Sequence, residues 1–102
     1  MSILVQILYT GQDGAARRFA EEMESSGVLA AVRAEPGNEG YAYYVPMDDP
    51  ESVLLIDRWR DQEAITIHHK SPMMEQIATL RTKYGLRMQV ERFQPLPRLE
   101  RP

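Results

Sequence analysis

The sequence predicts a single α+β domain with the element order β-α-β-β-α-β, and three observations carry that prediction. Strand-like runs of β-branched and aromatic residues recur along the chain, and helical apolar spacing fills the intervals after the first and third runs. A chain of 102 residues is long enough for one core and too short for two.

Ile3 to Thr10 is the first strand, with Gln6 as its only strongly polar interior residue. Gly11-Gln12-Asp13-Gly14 then turns the chain, with Asp13 as the expected helix N-cap. Ala16, Phe19, Ala20 and Met23 follow at helical spacing, while Arg17, Arg18, Glu21 and Glu22 take the solvent side. Ser25-Ser26-Gly27 interrupts the helix, and a second piece runs from Val28 to about Ala34. Pro36-Gly37-Asn38 ends it. Tyr41 to Val45 is the second strand, with Tyr41, Tyr43 and Val45 on one face.

Asp48-Asp49-Pro50 is a turn signature, and Ser52 to Arg60 returns as the third strand. Its alternation puts Val53, Leu55, Asp57 and Trp59 on one face and Leu54, Ile56, Arg58 and Arg60 on the other. Asp61 caps a short helix, Gln62 to His69. Ser71-Pro72 opens the next, which carries Ile77, Leu80 and Tyr84 on its apolar stripe until Gly85 closes it. Leu86 to Phe93 is the last strand. Residues 1–94 are thus the domain, and the proline-rich 95–102 is an extended tail.

This order matches the ferredoxin-like plan, an antiparallel four-stranded sheet with helices on one face. The second and third strands are apolar on both faces, more than a solvated face carries. A second sheet from an identical subunit is the simplest cover, so the sequence predicts a homodimer.

Composition narrows the function. With 43% hydrophobic and 26% charged residues the chain is an ordinary globular protein. A net charge of −3, with no basic cluster beyond Arg17-Arg18, makes nucleic acid an unsuitable partner. Without cysteine there is no disulfide, thiolate nucleophile or zinc–sulfur site, which fits a reducing compartment. The N-terminus lacks the basic lead and cleavage site of a signal peptide, and no apolar run reaches the roughly 18 residues of a membrane span. The expected location is the cytoplasm.

Leu55-Ile56-Asp57-Arg58-Trp59-Arg60-Asp61-Gln62-Glu63-Ala64-Ile65, then His68-His69-Lys70-Ser71-Pro72-Met73-Met74, resembles the antibiotic biosynthesis monooxygenase domain family. Gly37-Asn38 before an aromatic strand and the closing Val90-Glu91-Arg92-Phe93 fit the same pattern, so the resemblance spans residues 1 to about 94. It implies a dimeric α+β barrel in which two sheets face each other. It also implies cofactor-independent oxidation of quinols or polyketide phenols, although other members degrade haem or isomerise small phosphorylated ketones. The haem degraders use an Asn, a Trp and a His where this chain has Gln6, His68 and Ala78. Without the haem-ligating histidine, haem degradation does not fit.

His68 is the candidate base. The matching position in the related haem degraders lines the cavity, and here His68 follows Ala64 and Ile65 on the apolar side of its helix. An imidazole titrates near neutrality and can accept a phenolic proton, which makes the substrate a better electron donor to dioxygen. The alternative is a histidine that bonds a nearby carbonyl. His69 lies about 100° further round the helix and is the weaker candidate. Adjacent histidines cannot share a metal from a regular helix, and the sequence has no Gly-rich nucleotide loop, so no metal and no other cofactor is expected.

Trp59, Tyr43, Gln6 and Met73 are the candidate substrate contacts. Each has a structural alternative. Trp59 can anchor the core, and Gln6 can satisfy backbone groups at a sheet edge. Tyr41 and Tyr43, or else Tyr44, can face the cavity. Met73 and Met74 suit plastic packing at its rim. The function expected is a cofactor-independent monooxygenase acting on a small quinol-like substrate. An isomerase of a small hydroxyketone and a non-catalytic binding protein are the alternatives.

Overall fold

A computed structural model describes residues 2–99. The elements are β1 (Ile3–Thr10), α1 (Ala15–Ser25), α2 (Val28–Arg33), β2 (Asn38–Tyr44), β3 (Ser52–Trp59), α3 (Gln62–His69), α4 (Pro72–Lys83) and β4 (Arg87–Phe93). The strands form one antiparallel sheet in the order β2-β3-β1-β4, the ferredoxin-like plan expected from the sequence.

Most of the boundaries are as expected, and two differ. Asp13 does not cap α1 through its side chain. Asp13 and Gly14 both take positive φ, at 55° and 77°, and Gly14 becomes the N-cap. The Gly14 amide donates instead to Glu51 Oε1 at 3.2 Å. The second strand begins three residues before Tyr41 and ends before Val45, with a register shift between Asn38 and Gly40. Pairing with Trp59 and Arg58 extends it, which polarity at Asn38 and Glu39 conceals in the sequence. Asp61 caps α3 as expected, its Oδ1 accepting from the Ala64 amide at 2.9 Å. Pro95 to Leu99 have no regular structure, and 100–102 of the expected tail lie outside the described residues.

One sheet face packs on the helices. Val5 and Tyr9 of β1, Tyr41 of β2, and Leu55 and Trp59 of β3 meet Phe19, Met23, Val32, Ile65, Ile77 and Leu80 in the core. Tyr9 and Phe19 stack at 4.8 Å between ring centroids. Burying an aromatic side chain of this kind stabilises by about 1.5–3 kcal/mol. The other face carries Leu4, Leu8, Leu54 and Ile56 half-buried, with Tyr44 and Phe93 exposed. The apolar excess expected on both faces is therefore present, and this face is uncovered within the subunit.

Edge strand β4 is exposed along its whole length. The sheet is thus buried under helices at β2 and β3 and open at β4. That asymmetry positions the site.

Candidate active site

Between the helix-covered sheet face and α3 and α4 lies a cavity of about 270 Å³. Val5, Ile7, Leu55, Ile65, Met74, Ile77, Met88 and Val90 supply its apolar walls. An apolar cavity of about 150 Å³ accepts benzene, so this one has room for a substituted ring. Its inner end is formed by the buried Tyr41, Asp57, Trp59 and His68. Gln62, His69 and Arg92, all exposed, and the half-buried Arg81 also line the cavity.

His68 is held from three directions. Nδ1 lies 2.6 Å from Glu35 Oε2, its ring stacks on Trp59 at 4.6 Å, and its carbonyl accepts from Ser71 Oγ at 2.7 Å. Ser71 thus begins α4 while holding the end of α3. The approach of α3 depends on Gly37, where a Cβ would come within 2.2 Å of Ala64 Cβ. Glu35, two residues before Gly37, is brought to His68 by the same close approach. With Nδ1 engaged by a carboxylate, Nε2 is the ring nitrogen available to a ligand.

Asp57 is the second polar group of the inner end. Oδ2 accepts from Trp59 Nε1 at 2.5 Å, while Oδ1 is buried without a partner. Burial pushes its pKa up to about 6, against the opposing pull of the Trp59 N–H and nearby His68. Burial also pushes Tyr9 up to about 12 and raises Tyr41, so both phenols stay protonated at neutral pH. His69 is lowered, by burial first and then by His68 and Arg92. Among the described residues no three His, Cys, Asp or Glu side chains group as a metal site requires.

Of the residues singled out in the sequence, the structure brings His68 and Trp59 together against the cavity. Gln6, Tyr43 and Met73 do not line it. Gln6 pairs with Ile56 and Glu91 and alternates with Val5 and Ile7, which puts it on the opposite sheet face. Tyr43 is on the correct face but packs on Phe19 and Tyr41, and Tyr41 is the tyrosine that reaches the cavity. Met73 packs against the core beside Met74, and Met74 takes the lining position. His69, although turned round the helix from His68, still borders the cavity mouth.

Two further polar side chains belong to this arrangement, Glu35 and Asp57. Glu35 lies in the loop after α2, and no local spacing connects it with His68. Asp57 was legible, because a carboxylate on the apolar Val53-Leu55-Trp59 face is a buried charge that needs an explanation.

The family model for antibiotic biosynthesis monooxygenase matches residues 2–80. Among solved structures, SnoaB, a cofactor-independent oxygenase from Streptomyces nogalater, superposes with a TM-score of 0.79 at 17% identity, covering 98% of both chains. A protein from Deinococcus radiodurans, a candidate antibiotic biosynthesis monooxygenase, gives 0.82 at 13% identity, also over 98% of both. A conserved protein from Methanosarcina mazei gives 0.80 at 17% over 92% of both. At these identities the likeness is one of fold. No curated protein matches the chain.

Proposed function

Since the chain belongs to the antibiotic biosynthesis monooxygenase family, we propose that it is a cofactor-independent monooxygenase of a small quinol-like substrate, with His68 as the base. The observation that carries this reading is the buried Glu35–His68 pair beside an aromatic-lined apolar cavity. Glu35 orients the imidazole and offsets the positive charge that forms when His68 accepts a proton. The apolar walls keep bulk water from the oxidised ring.

The reaction balances with dioxygen as the only co-reactant. His68 takes the phenolic proton, and the phenolate passes one electron to dioxygen. The resulting superoxide and aryloxyl radical combine at a ring carbon that bears hydrogen. Loss of that hydrogen as a proton, with O–O cleavage, leaves a quinone that has gained one oxygen atom. The two protons and the second oxygen atom leave as water. Trp59 supports the ring at the inner end.

The apolar outer sheet face supports a homodimer in which a second copy covers Leu4, Leu8, Leu54 and Ile56. Sedimentation equilibrium at micromolar concentration should give twice the 11.7 kDa of the chain. A monomer would refute the dimer. The acidic, cysteine-free sequence supports a cytoplasmic protein that binds neither nucleic acid nor membrane, and no described helix is long and apolar enough to cross one.

Oxygen uptake with a panel of quinols tests the function. Under isotopically labelled dioxygen, the quinone should carry one labelled atom for each oxygen molecule consumed. Absence of any enzyme-dependent uptake, with proton–deuterium exchange into hydroxyketones instead, would overturn the oxygenase in favour of an isomerase.

A further inference from the structure

Tyr9 and Arg81 line the same cavity as His68 but take no part in the cluster that Glu35, His68 and Trp59 form. Tyr9 is 2% exposed. Among the described residues, the buried polar side-chain atoms that are sealed off without a partner belong to Tyr43 and Asp57. The Tyr9 hydroxyl makes no hydrogen bond either, yet it is not sealed, and the cavity is the open space that its side chain borders. A buried hydroxyl left open in this way loses the interactions it would make in water, and a ligand acceptor restores them.

Arg81 of α4 brings a second donor to the same place. Its Nη1 contacts Met88 Sδ at 3.4 Å, and Met88 stands directly opposite Tyr9 in the pairing of β1 with β4, on the same sheet face. Burial raises the Tyr9 pKa and Arg81 pulls against that rise, so the guanidinium charge is felt at the hydroxyl itself. Burial prevails, and the hydroxyl stays a donor at neutral pH. Among the described residues Arg81 forms no ion pair with a carboxylate, and most of the five N–H donors of a guanidinium remain uncommitted. One O–H and one N–H side by side match the two lone pairs of a carbonyl oxygen.

We propose that Tyr9 and Arg81 are the specificity pair of the cavity and hold a carbonyl oxygen of the substrate, at the end remote from the hydroxyl that meets His68. Val5 is opposite Asp57 at the His68 end, and Tyr9 lies four residues further along β1. At roughly 3.3 Å per residue the two positions are about 13 Å apart. A single ring is short for that span, so the pair selects a two-ring phenol or quinol with its carbonyl opposite the reacting hydroxyl. The volume of about 270 Å³ has room for one. The assignment deepens the oxygenase reading and rests on it for the role of His68, but its binding signature is separate from turnover.

Anaerobic calorimetry with 6-acetyl-2-naphthol and with 6-ethyl-2-naphthol, which has the same shape without the carbonyl oxygen, isolates the contact. The acetyl probe should bind about tenfold more tightly, the scale of hydrogen bonds that include one from a charged donor. Tyr9→Phe keeps the ring on Phe19, and Arg81→Met keeps an apolar stem beside Met88, so both should fold, which circular dichroism checks. Each should lose part of the preference, and the double variant all of it. Equal affinities in the unmodified protein, a preference undiminished in either folded single variant, or binding of neither probe would each overturn the assignment. A preference that depends on Tyr9 and Arg81 without any oxygen uptake would remove the oxygenase reading and leave the specificity pair standing, whereas oxygen uptake with equal affinities would remove the pair alone.

Discussion

Glu35 Oε2 and His68 Nδ1 meet at 2.6 Å although 33 residues separate them in sequence, and their side chains are only 10 and 7% exposed. A buried carboxylate at this distance fixes the ring and the nitrogen that carries the proton. Glu35→Gln keeps the size and a hydrogen-bonding group but removes the charge that offsets a protonated imidazole. It should lower kcat for quinol oxidation by about 10–100-fold, the scale seen for partners that orient functional histidines. Unchanged KM with reduced kcat is the expected kinetic pattern. Unchanged kcat would leave Glu35 a structural partner only.

Asp57 sets a pH dependence of stability. Its folded pKa is raised from 3.8 to about 6, with Trp59, His68, Tyr9 and Tyr41 around it. Between those values the folded protein holds a proton that the unfolded chain has lost. Stability therefore falls as pH rises through this window, by about 3 kcal/mol once the carboxylate is fully charged. Asp57→Asn resembles the protonated form in shape and can still accept from Trp59. The variant should melt higher than the unmodified protein at pH 8 and near it at pH 4. A lower melting temperature at pH 8 would show that the charged carboxylate is better accommodated than its burial implies.

Gly37 couples the site to the backbone. A Cβ there would stand 2.2 Å from Ala64 Cβ and 3.3 Å from Ala64 Cα, and the helix backbone cannot yield as a flexible side chain does. Gly37→Ala should therefore destabilise by about 1–3 kcal/mol through overpacking. It should also push α3 away from the loop that carries Glu35. Denaturant unfolding measures the first effect, and loss of kcat in protein that remains folded measures the second. A combined Gly37→Ala, Ala64→Gly change should recover part of the stability.

The architecture was legible because each element carries its own local signal. Alternation on β3 separated Leu55 and Trp59 from Leu54 and Ile56, and Asp61 and Ser71-Pro72 marked the starts of α3 and α4. The site was legible only where one element presents it, as with His68 and Trp59. Glu35 was invisible because its role depends on a loop meeting a helix 33 residues away. Gln6 misled because the residue type suits a quinone oxygen, whereas its β1 register assigns it to the outer face. Met73 and Met74 are neighbours on one turn of α4, and only packing decides which of them borders the cavity.

The base assignment needs a variant that separates chemistry from support. His68→Ala would leave the Glu35 carboxylate buried without its partner and the Trp59 ring without its stacking contact, so its losses would mix catalysis with stability. His68→Gln keeps an N–H that can donate to Glu35 but has no imidazole to accept a phenolic proton. Quinol oxidation should fall by about 10²–10⁴-fold, the usual contribution of a positioned base. Raising the pH should partly restore it, because the substrate then ionises in solution. His69→Ala is unsuitable as a control, since His69 borders the cavity mouth. Ile67, on the same helix and 54% exposed, is suitable, and Ile67→Ala should retain activity. Circular dichroism and sedimentation should first establish that both variants fold alike. Full activity in folded His68→Gln protein would assign the base elsewhere, and the unpartnered Oδ1 would make Asp57 the next residue to change.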